Sequence, residues 1–316
     1  MRPALSVIIL TVLIGAGQGL FLAVYAAQWS ARLGWLGAAP TPVPRGYLVT
    51  GAGVAVVLAL AGLVASFFHL GRPERAWRTA ACWRTSWLSR EVIALPAFLV
   101  TAAFYGWAVH TNRGSPLAVG MPAAIAAVAL FVCTGMVYAG IRFLREWASP
   151  LTVINFTLLG GASGFTLAAV LAVWLAPELF RYMAVGALAL TVGALATRAA
   201  SLRRNARLVP KSTLQSAIGV KHPRIVQIAQ GFMGSSFNTR EFFHGVAAHR
   251  FQLIKWSFLV LAFGLPIVLL ALALVWSSPR LAFGALLTQT VGLLAERWFF
   301  LAQANHPQNL YYQSMA

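Results

Sequence analysis

Residues 46–91 read GYLVTGAGVAVVLALAGLVASFFHLGRPERAWRTAACWRTSWLSRE, an uncharged run of 25 residues followed by a short connection that holds five arginines. A run of that length without charge matches the ~20 apolar residues that an α-helix needs to cross the hydrocarbon core of a bilayer. The connection is the opposite kind of sequence, and its histidine (His69) and glutamate (Glu91) stand at its two edges.

The same alternation repeats along the chain. Uncharged stretches cover Pro3–Trp29, Gly46–Leu70, Val92–Val109, Pro116–Ile141, Pro150–Ala176, Tyr182–Thr197, Trp256–Ser278 and Leu281–Ala295, the last running on past a Glu-Arg pair. Of the 316 residues, 59% are hydrophobic and 9% charged, where a soluble domain carries about 25% charged residues. The expected fold is therefore an all-α integral membrane protein of eight transmembrane helices, one anchor domain over residues 1–316. Its two larger connections are expected at 70–91 and 199–255. The first run is longer than the ~7–15 apolar residues of a signal peptide and is expected to stay as a helix.

The acidic residues are six glutamates against 24 Lys and Arg, a formal charge of +18. Such an excess could mark a nucleic-acid binder. Here the arginines fall almost wholly between the apolar runs, so the reading is topology and contact with anionic lipid or an acidic partner, with no nucleic acid. With eight spans, the side holding both termini and the 2–3, 4–5 and 6–7 connections has 19 of the 24 cations; without the long 6–7 connection it has nine against five. The positive-inside rule then places both termini and the His69 loop in the cytoplasm.

The two cysteines, Cys82 and Cys133, fall in no CxxC or CxxCH pattern, so no iron–sulfur cluster, zinc site or c-type haem is expected in this chain. No two of the six histidines are well placed inside different spans, which argues against haem b, and no metal site is expected. Gly15 and Gly19 form a GxxxG, a signature of close helix packing. In the long connection, Asn238 and Glu241 have capping-box spacing, and TLQSAIGVKHPRIVQIAQGF reads as short amphipathic pieces at the interface.

His69 and Glu91 are the leading site candidates. Thr50 to His69 spans ~28 Å of helix, which puts His69 near headgroup depth, with Glu91 starting the next helix on the same side. A quinone resting at that depth needs a hydrogen-bond donor for a carbonyl and a proton route; histidine titrates in the right range and a partly buried carboxylate relays protons. The structural alternatives are an interfacial histidine without a ligand, and a glutamate that follows a Ser89 N-cap and complements the helix dipole. Glu296, inside the last span with Arg297, is a further cofactor-binding candidate, or could snorkel or pair with a loop charge.

The stretch FFHLGRPERAWRTAACWRTSWLSREV resembles the membrane anchor subunit family of dimethyl sulfoxide reductase. A His-Leu-Gly ends the second helix, a basic aromatic loop follows, and Ser-x-Glu opens the third. LQSAIGVKHPRIVQ, QGFMGSSFNTREFFHG and the tail ANHPQNLYYQ are closer to a branch similar to the quinone-linked subunit of a cytoplasmic sulfite dehydrogenase. The resemblance implies a bacterial inner-membrane subunit that does no molybdenum chemistry itself. It would anchor a molybdopterin catalytic subunit and an iron–sulfur subunit on the cytoplasmic face, and exchange electrons with ubiquinone or menaquinone. It implies His69 and Glu91 at the quinone. The loop arginines read most simply as topology determinants, with Arg72 beside the quinone and Arg75, Arg78 and Arg84 docking an acidic partner as the sharper alternative; Arg240 and His244 match the branch motif and are expected toward the partner. One departure stands out: the dimethyl sulfoxide reductase anchor holds its quinol site on the periplasmic side, whereas the arginine count here is cytoplasmic, as suits the sulfite-oxidising branch. Other readings are the same anchor run backwards for a sulfoxide or polysulfide reductase, and a secondary transporter. The transporter is disfavoured by a midplane nearly empty of charge.

Overall fold

The computed structural model describes residues 1–35, 43–226, 228 and 240–312. Eight long helices make up its body: α1 (Leu5–Arg32), α2 (Arg45–Phe67), α3 (Trp87–His110), α4 (Pro116–Ala139), α5 (Pro150–Leu175), α6 (Phe180–Ala206), α7 (Ala248–Trp276) and α8 (Pro279–Ala302). The first seven are each long and apolar enough to cross a membrane. The eighth has 24 residues, as long as its neighbours, but carries Arg280, Glu296 and Arg297. Asn238, half of the expected capping box, lies outside the described residues. Of the amphipathic pieces, Leu214–Ile218 forms a single helical turn capped by Thr213 and Ser216.

Helix α1 is the hub, packing on α2, α4, α5 and α8. In lipid the tails are as apolar as leucine, so close packing rather than water exclusion selects helix partners. Gly15 and Gly19 supply that packing. A Cβ on Gly15 would meet the Cα of Gly160 on α5 at 3.5 Å, one on Gly19 would overlap the Gly160 carbonyl, and one on Gly164 would overlap the Gly19 backbone. Farther along α1, Phe21 stacks edge-on against Phe98 and Tyr105 of α3. A π-helical turn at Val260–Gly264 interrupts α7, and Gly292 of α8 closes on it where any side chain would strike the Ala262 backbone.

One end of the bundle gathers the expected set of connections. The Arg2 amide donates to the Glu241 carbonyl (2.9 Å), and Trp147, in the 4–5 connection, donates Nε1–H to Phe300 O (2.9 Å). Arg204, near the end of α6, donates to Arg145 O (3.0 Å) and Ala148 O (3.2 Å). His69, beyond α2, meets Ser6. The N-terminal segment, the 2–3 and 4–5 connections and the end of α8 therefore share one face of the bundle.

Three helix limits differ from the sequence reading, one of them the start of α7, which is Ala248 instead of Trp256 because the helix begins before its uncharged run does. Helix α3 starts at Trp87 instead of Val92, capped by Ser86, whose Oγ accepts from Ser89 N (3.3 Å). Helix α6 runs to Ala206 instead of Thr197; its final Arg203 and Arg204 complement the negative end of the helix dipole, so the first charge after an apolar run does not mark where the helix ends. The extension brings Arg198, counted as a loop charge in the sequence, into the helical body.

A side chain cannot be placed at Gly19 or Gly164 in the α1–α5 seam without moving one backbone. Gly164→Leu is expected to lower stability by about 1–3 kcal/mol through overpacking, while Gly53→Leu, with open space around its position, should be tolerated; thermal unfolding in detergent measures both, and equal effects would refute the seam.

A candidate proton and quinone site

His69 follows α2 by two residues, in the turn before Gly71. Its Nδ1 lies 3.3 Å from Ser6 Oγ, at the start of α1. Partial burial lowers its pKa from the ordinary histidine value; a neutral imidazole has one nitrogen to donate and one to accept. Downstream, Pro73–Cys82 winds into a 3-10 turn with no buried residue. Arg72, Arg75, Arg78 and Arg84 are exposed on this connection. Arg78 and Arg84 lie over the rings of Trp77 (5.5 Å) and Trp83 (5.4 Å), and Arg75 makes a 3.8 Å contact with Glu74. Arg90 closes the connection, stacking on Trp87 (4.2 Å) and donating to Trp83 O (2.9 Å) and Arg84 O (2.8 Å).

Glu91 is not where its first-turn reading put it. With the helix capped at Ser86, no acid sits in the first turn, and Glu91 falls in the second turn, turned toward the bundle. Its Oε1 accepts from Thr134 Oγ1 of α4 at 2.6 Å. A small cavity, about 20 Å³, opens beside it, lined among others by Leu10, Thr11 and Gln18 of α1, by Glu91 and Thr134, and by Arg297 of α8. That is room for about one water molecule and not for a ring. Gln18 is buried at 1% exposure, and its amide nitrogen has no hydrogen-bond partner. His69 is not part of this lining; its contact residue Ser6 is one helical turn, ~6 Å, from Leu10 along α1. The structure thus joins Glu91 to Thr134 by a hydrogen bond, lines the same cavity with Arg297, and leaves His69 outside that lining, against Ser6.

Glu296 does not snorkel; it pairs with Arg198, which the sequence reading counted as a loop charge and the structure places in α6. It is fully buried, and Arg198 Nε of α6 lies 2.8 Å from its Oε1 while Arg297 NH1 lies 3.3 Å from its Oε2. The guanidinium of Arg297 also sits 3.7 Å from the centroid of the Phe156 ring, and that of Arg198 faces Phe258 at 5.5 Å. Among the described residues these three are the only buried charged side chains. Glu296 does not line the cavity, whereas Arg297 does. Sequence reasoning missed Arg198, Thr134 and Gln18. Arg198 could have been found as a cation following 16 uncharged residues with no acid nearby in sequence.

Of the residues assigned toward a partner, Arg240 is exposed. His244 is half-buried and stacked on Phe251 (5.1 Å) with Trp298 edge-on, so it packs its own connection onto α7 and α8. It borders an open basin at the same end of the bundle, shared with Arg142, Lys211 and His306.

A bundle of long apolar helices joined by basic connections is that of a multi-pass membrane protein. Residues 1–300 match the family model described as DMSO reductase anchor subunit (DmsC), and the chain belongs to that family. It is also 50% identical, over the full length of both chains, to a subunit of the sulfite dehydrogenase of Allochromatium vinosum.

The buried cluster also makes a stability statement. Removing the single anion, as in Glu296→Leu, leaves two guanidiniums unpaired in an apolar interior and is expected to cost about 3–5 kcal/mol. Loss of less than about 1 kcal/mol on thermal unfolding in detergent would show that the cluster is solvated.

Proposed function

We propose that the chain is the quinone-reactive membrane anchor of a molybdenum-containing sulfite dehydrogenase, in a bacterial inner membrane, with eight crossings and both termini cytoplasmic. The observation that carries this reading is Glu91. A carboxylate that accepts from a hydroxyl in the second turn of α3, with a histidine on the connection that precedes the same helix, supplies a proton acceptor and a hydrogen-bond donor for a quinone, in a chain half identical to a sulfite dehydrogenase subunit.

In this reading a cytoplasmic molybdopterin subunit oxidises sulfite to sulfate, and its two electrons leave through an iron–sulfur subunit. That subunit docks on the exposed arginines Arg75, Arg78 and Arg84 and on the neighbouring face that carries Arg240. Electrostatic complementarity of this kind steers association and fixes orientation. The quinone ring rests against the lipid-facing surface between the end of α2 and the start of α3, because the cavity itself holds only a water. His69 donates a hydrogen bond to one carbonyl, a bond that strengthens as negative charge develops on the oxygen, and Arg72 flanks it. Glu91 passes protons from the cytoplasmic end. Quinone takes up two electrons and two protons and leaves as quinol. Glu296 has no contact with the ring in this scheme; its two arginines occupy it.

The same geometry serves the opposite direction, with quinol giving electrons to a reductase, as the family's name would favour. The potentials of the quinone and of the partner's substrate decide between the two.

The first test is gentle purification of the tagged chain from its native membrane, with mass spectrometry and metal analysis. A molybdopterin subunit and an iron–sulfur subunit without export signals should accompany it; a chain arriving alone and metal-free overturns the reading. In the purified complex, His69→Gln and Glu91→Gln should each lower sulfite-dependent quinone reduction about 100-fold or more, the scale of general acid–base catalysis. Sulfite oxidation with an artificial acceptor should be unchanged. Normal quinone turnover in both variants would remove these residues from the site.

A further inference from the structure

Threonines in the body of the helices commonly turn their one hydroxyl proton back on the helix that carries them. Thr101, Thr157, Thr166, Thr191, Thr288 and Thr290 each donate to the carbonyl four residues earlier, at 2.6–3.0 Å. In an apolar surrounding that is the default, because an unmet hydroxyl is costly there. Thr134 of α4 departs from it: its hydroxyl donates across to Glu91 Oε1 of α3 at 2.6 Å and makes no bond to its own helix. The backbone that carries it is fixed, since a Cβ on the adjoining Gly135 would lie 2.8 Å from the Val153 Cα of α5. Glu91 has no other hydrogen bond from a side chain among the described residues, so Oε1 has a partner and Oε2 has none. The ion pairs among those residues lie at Glu74 and Glu296, and Arg90, its neighbour in sequence, is committed to the carbonyls of Trp83 and Arg84.

We propose that Thr134 is a positioning residue for Glu91: it reserves Oε1 as a hydrogen-bond acceptor, so that the proton enters and leaves the carboxyl group at Oε2. This rests on the quinone reading of the site and deepens it. A hydroxyl suits the task, because a carboxylate oxygen and the carbonyl oxygen of a carboxylic acid both accept from it. The bond to Oε1 therefore persists, donor and acceptor unchanged, whether or not Oε2 carries a proton. The side chain keeps one orientation through uptake and release. An ammonium or guanidinium in the same place would hold the ionised form and resist protonation.

In the quinone step the Oε2–H bond breaks as the O–H bond of the reduced quinone forms, the electrons coming from the iron–sulfur partner. A proton from the cytoplasmic end then restores Oε2–H. A purely structural Thr134 would instead be polar glue between α3 and α4, indifferent to which carboxyl oxygen carries the proton. The two roles part on the spectroscopy of Glu91 and on the coupling between the two side chains.

In infrared spectra of the purified complex at acid pH, the carbonyl stretch of protonated Glu91 is the band that Glu91→Gln removes. Thr134→Val, of the same shape without the hydroxyl, and the smaller Thr134→Ala should both move that band to higher wavenumber, because the carbonyl loses its donor. Thr134→Ser should leave it in place. Thr134→Val should lower kcat for quinone reduction about 10-fold, the worth of one hydrogen bond to a group that becomes charged, while Thr134→Ser stays within about twofold of native. In the Glu91→Gln background Thr134→Val should have no further effect, because the two side chains act as one unit. An unmoved band or an unaltered kcat in Thr134→Val overturns the proposal. So does a Thr134→Ser complex as slow as Thr134→Val, or a Thr134→Val loss that persists undiminished without the Glu91 carboxylate. Full quinone turnover in Glu91→Gln overturns the quinone role of Glu91 itself, and this proposal with it.

Discussion

The seam between α1 and α5 is the contact on which the other features depend. Gly15 and Gly19 lie against Gly160 and Gly164 so closely that the two backbones touch. In lipid this packing is what holds two helices in register, and here it makes α1 the centre around which α2, α4, α5 and α8 gather. The same absence of side chains leaves the space beside Glu91, since Gly15 and Gly160 both border the cavity. A seam needed for packing thus also sets the polar hollow near the start of α3.

Placing charge next to that hollow demands an account of every ion. A soluble protein would let Arg198 and Glu296 reach water; a membrane bundle must pair them internally or leave them as a large penalty. The aromatic rings around the cluster, Phe156, Phe258, Phe299 and Phe300, serve as a second source of compensation, each presenting the negative face of its π-system to a guanidinium. That geometry explains why arginine rather than lysine stands at both positions, because a planar delocalised cation stacks and donates at once.

Fold class and the ends of most helices were legible in the sequence because they follow from one quantity, the length of an uncharged run against bilayer thickness. The helix pairing at Gly15 and Gly19 was legible as a motif. Three boundaries were not: α7 begins at Ala248, eight residues before the uncharged run at Trp256, and the other two bear on the site. The start of α3 was read from the apolar run at Val92, yet the cap is Ser86, five residues before Glu91, and the connection between them is basic enough to pass for a loop. The end of α6 was read from the first arginine, yet a helix continues into water wherever its residues favour it. The α3 error made Glu91 look like a first-turn acid, and the α6 error hid Arg198 among loop charges. Thr134 and Gln18 left no signal at all, since a single polar residue in an apolar helix acquires meaning only from what the neighbouring helix puts opposite it.

The separation of His69 from Glu91 constrains how a quinone could react here. His69 meets Ser6 and does not line the cavity that Glu91 borders, and no direct hydrogen bond joins the two side chains. A ring between them would touch His69 with one carbonyl while the other faced the carboxylate, so hydrogen bonding and proton delivery would fall to different residues at different ends of the ring. Both ends remain on the side of the bundle where the basic connection stands, and electrons arriving there would meet protons arriving there. No charge would then cross the membrane in the step, which leaves the redox energy to whatever next oxidises the quinol.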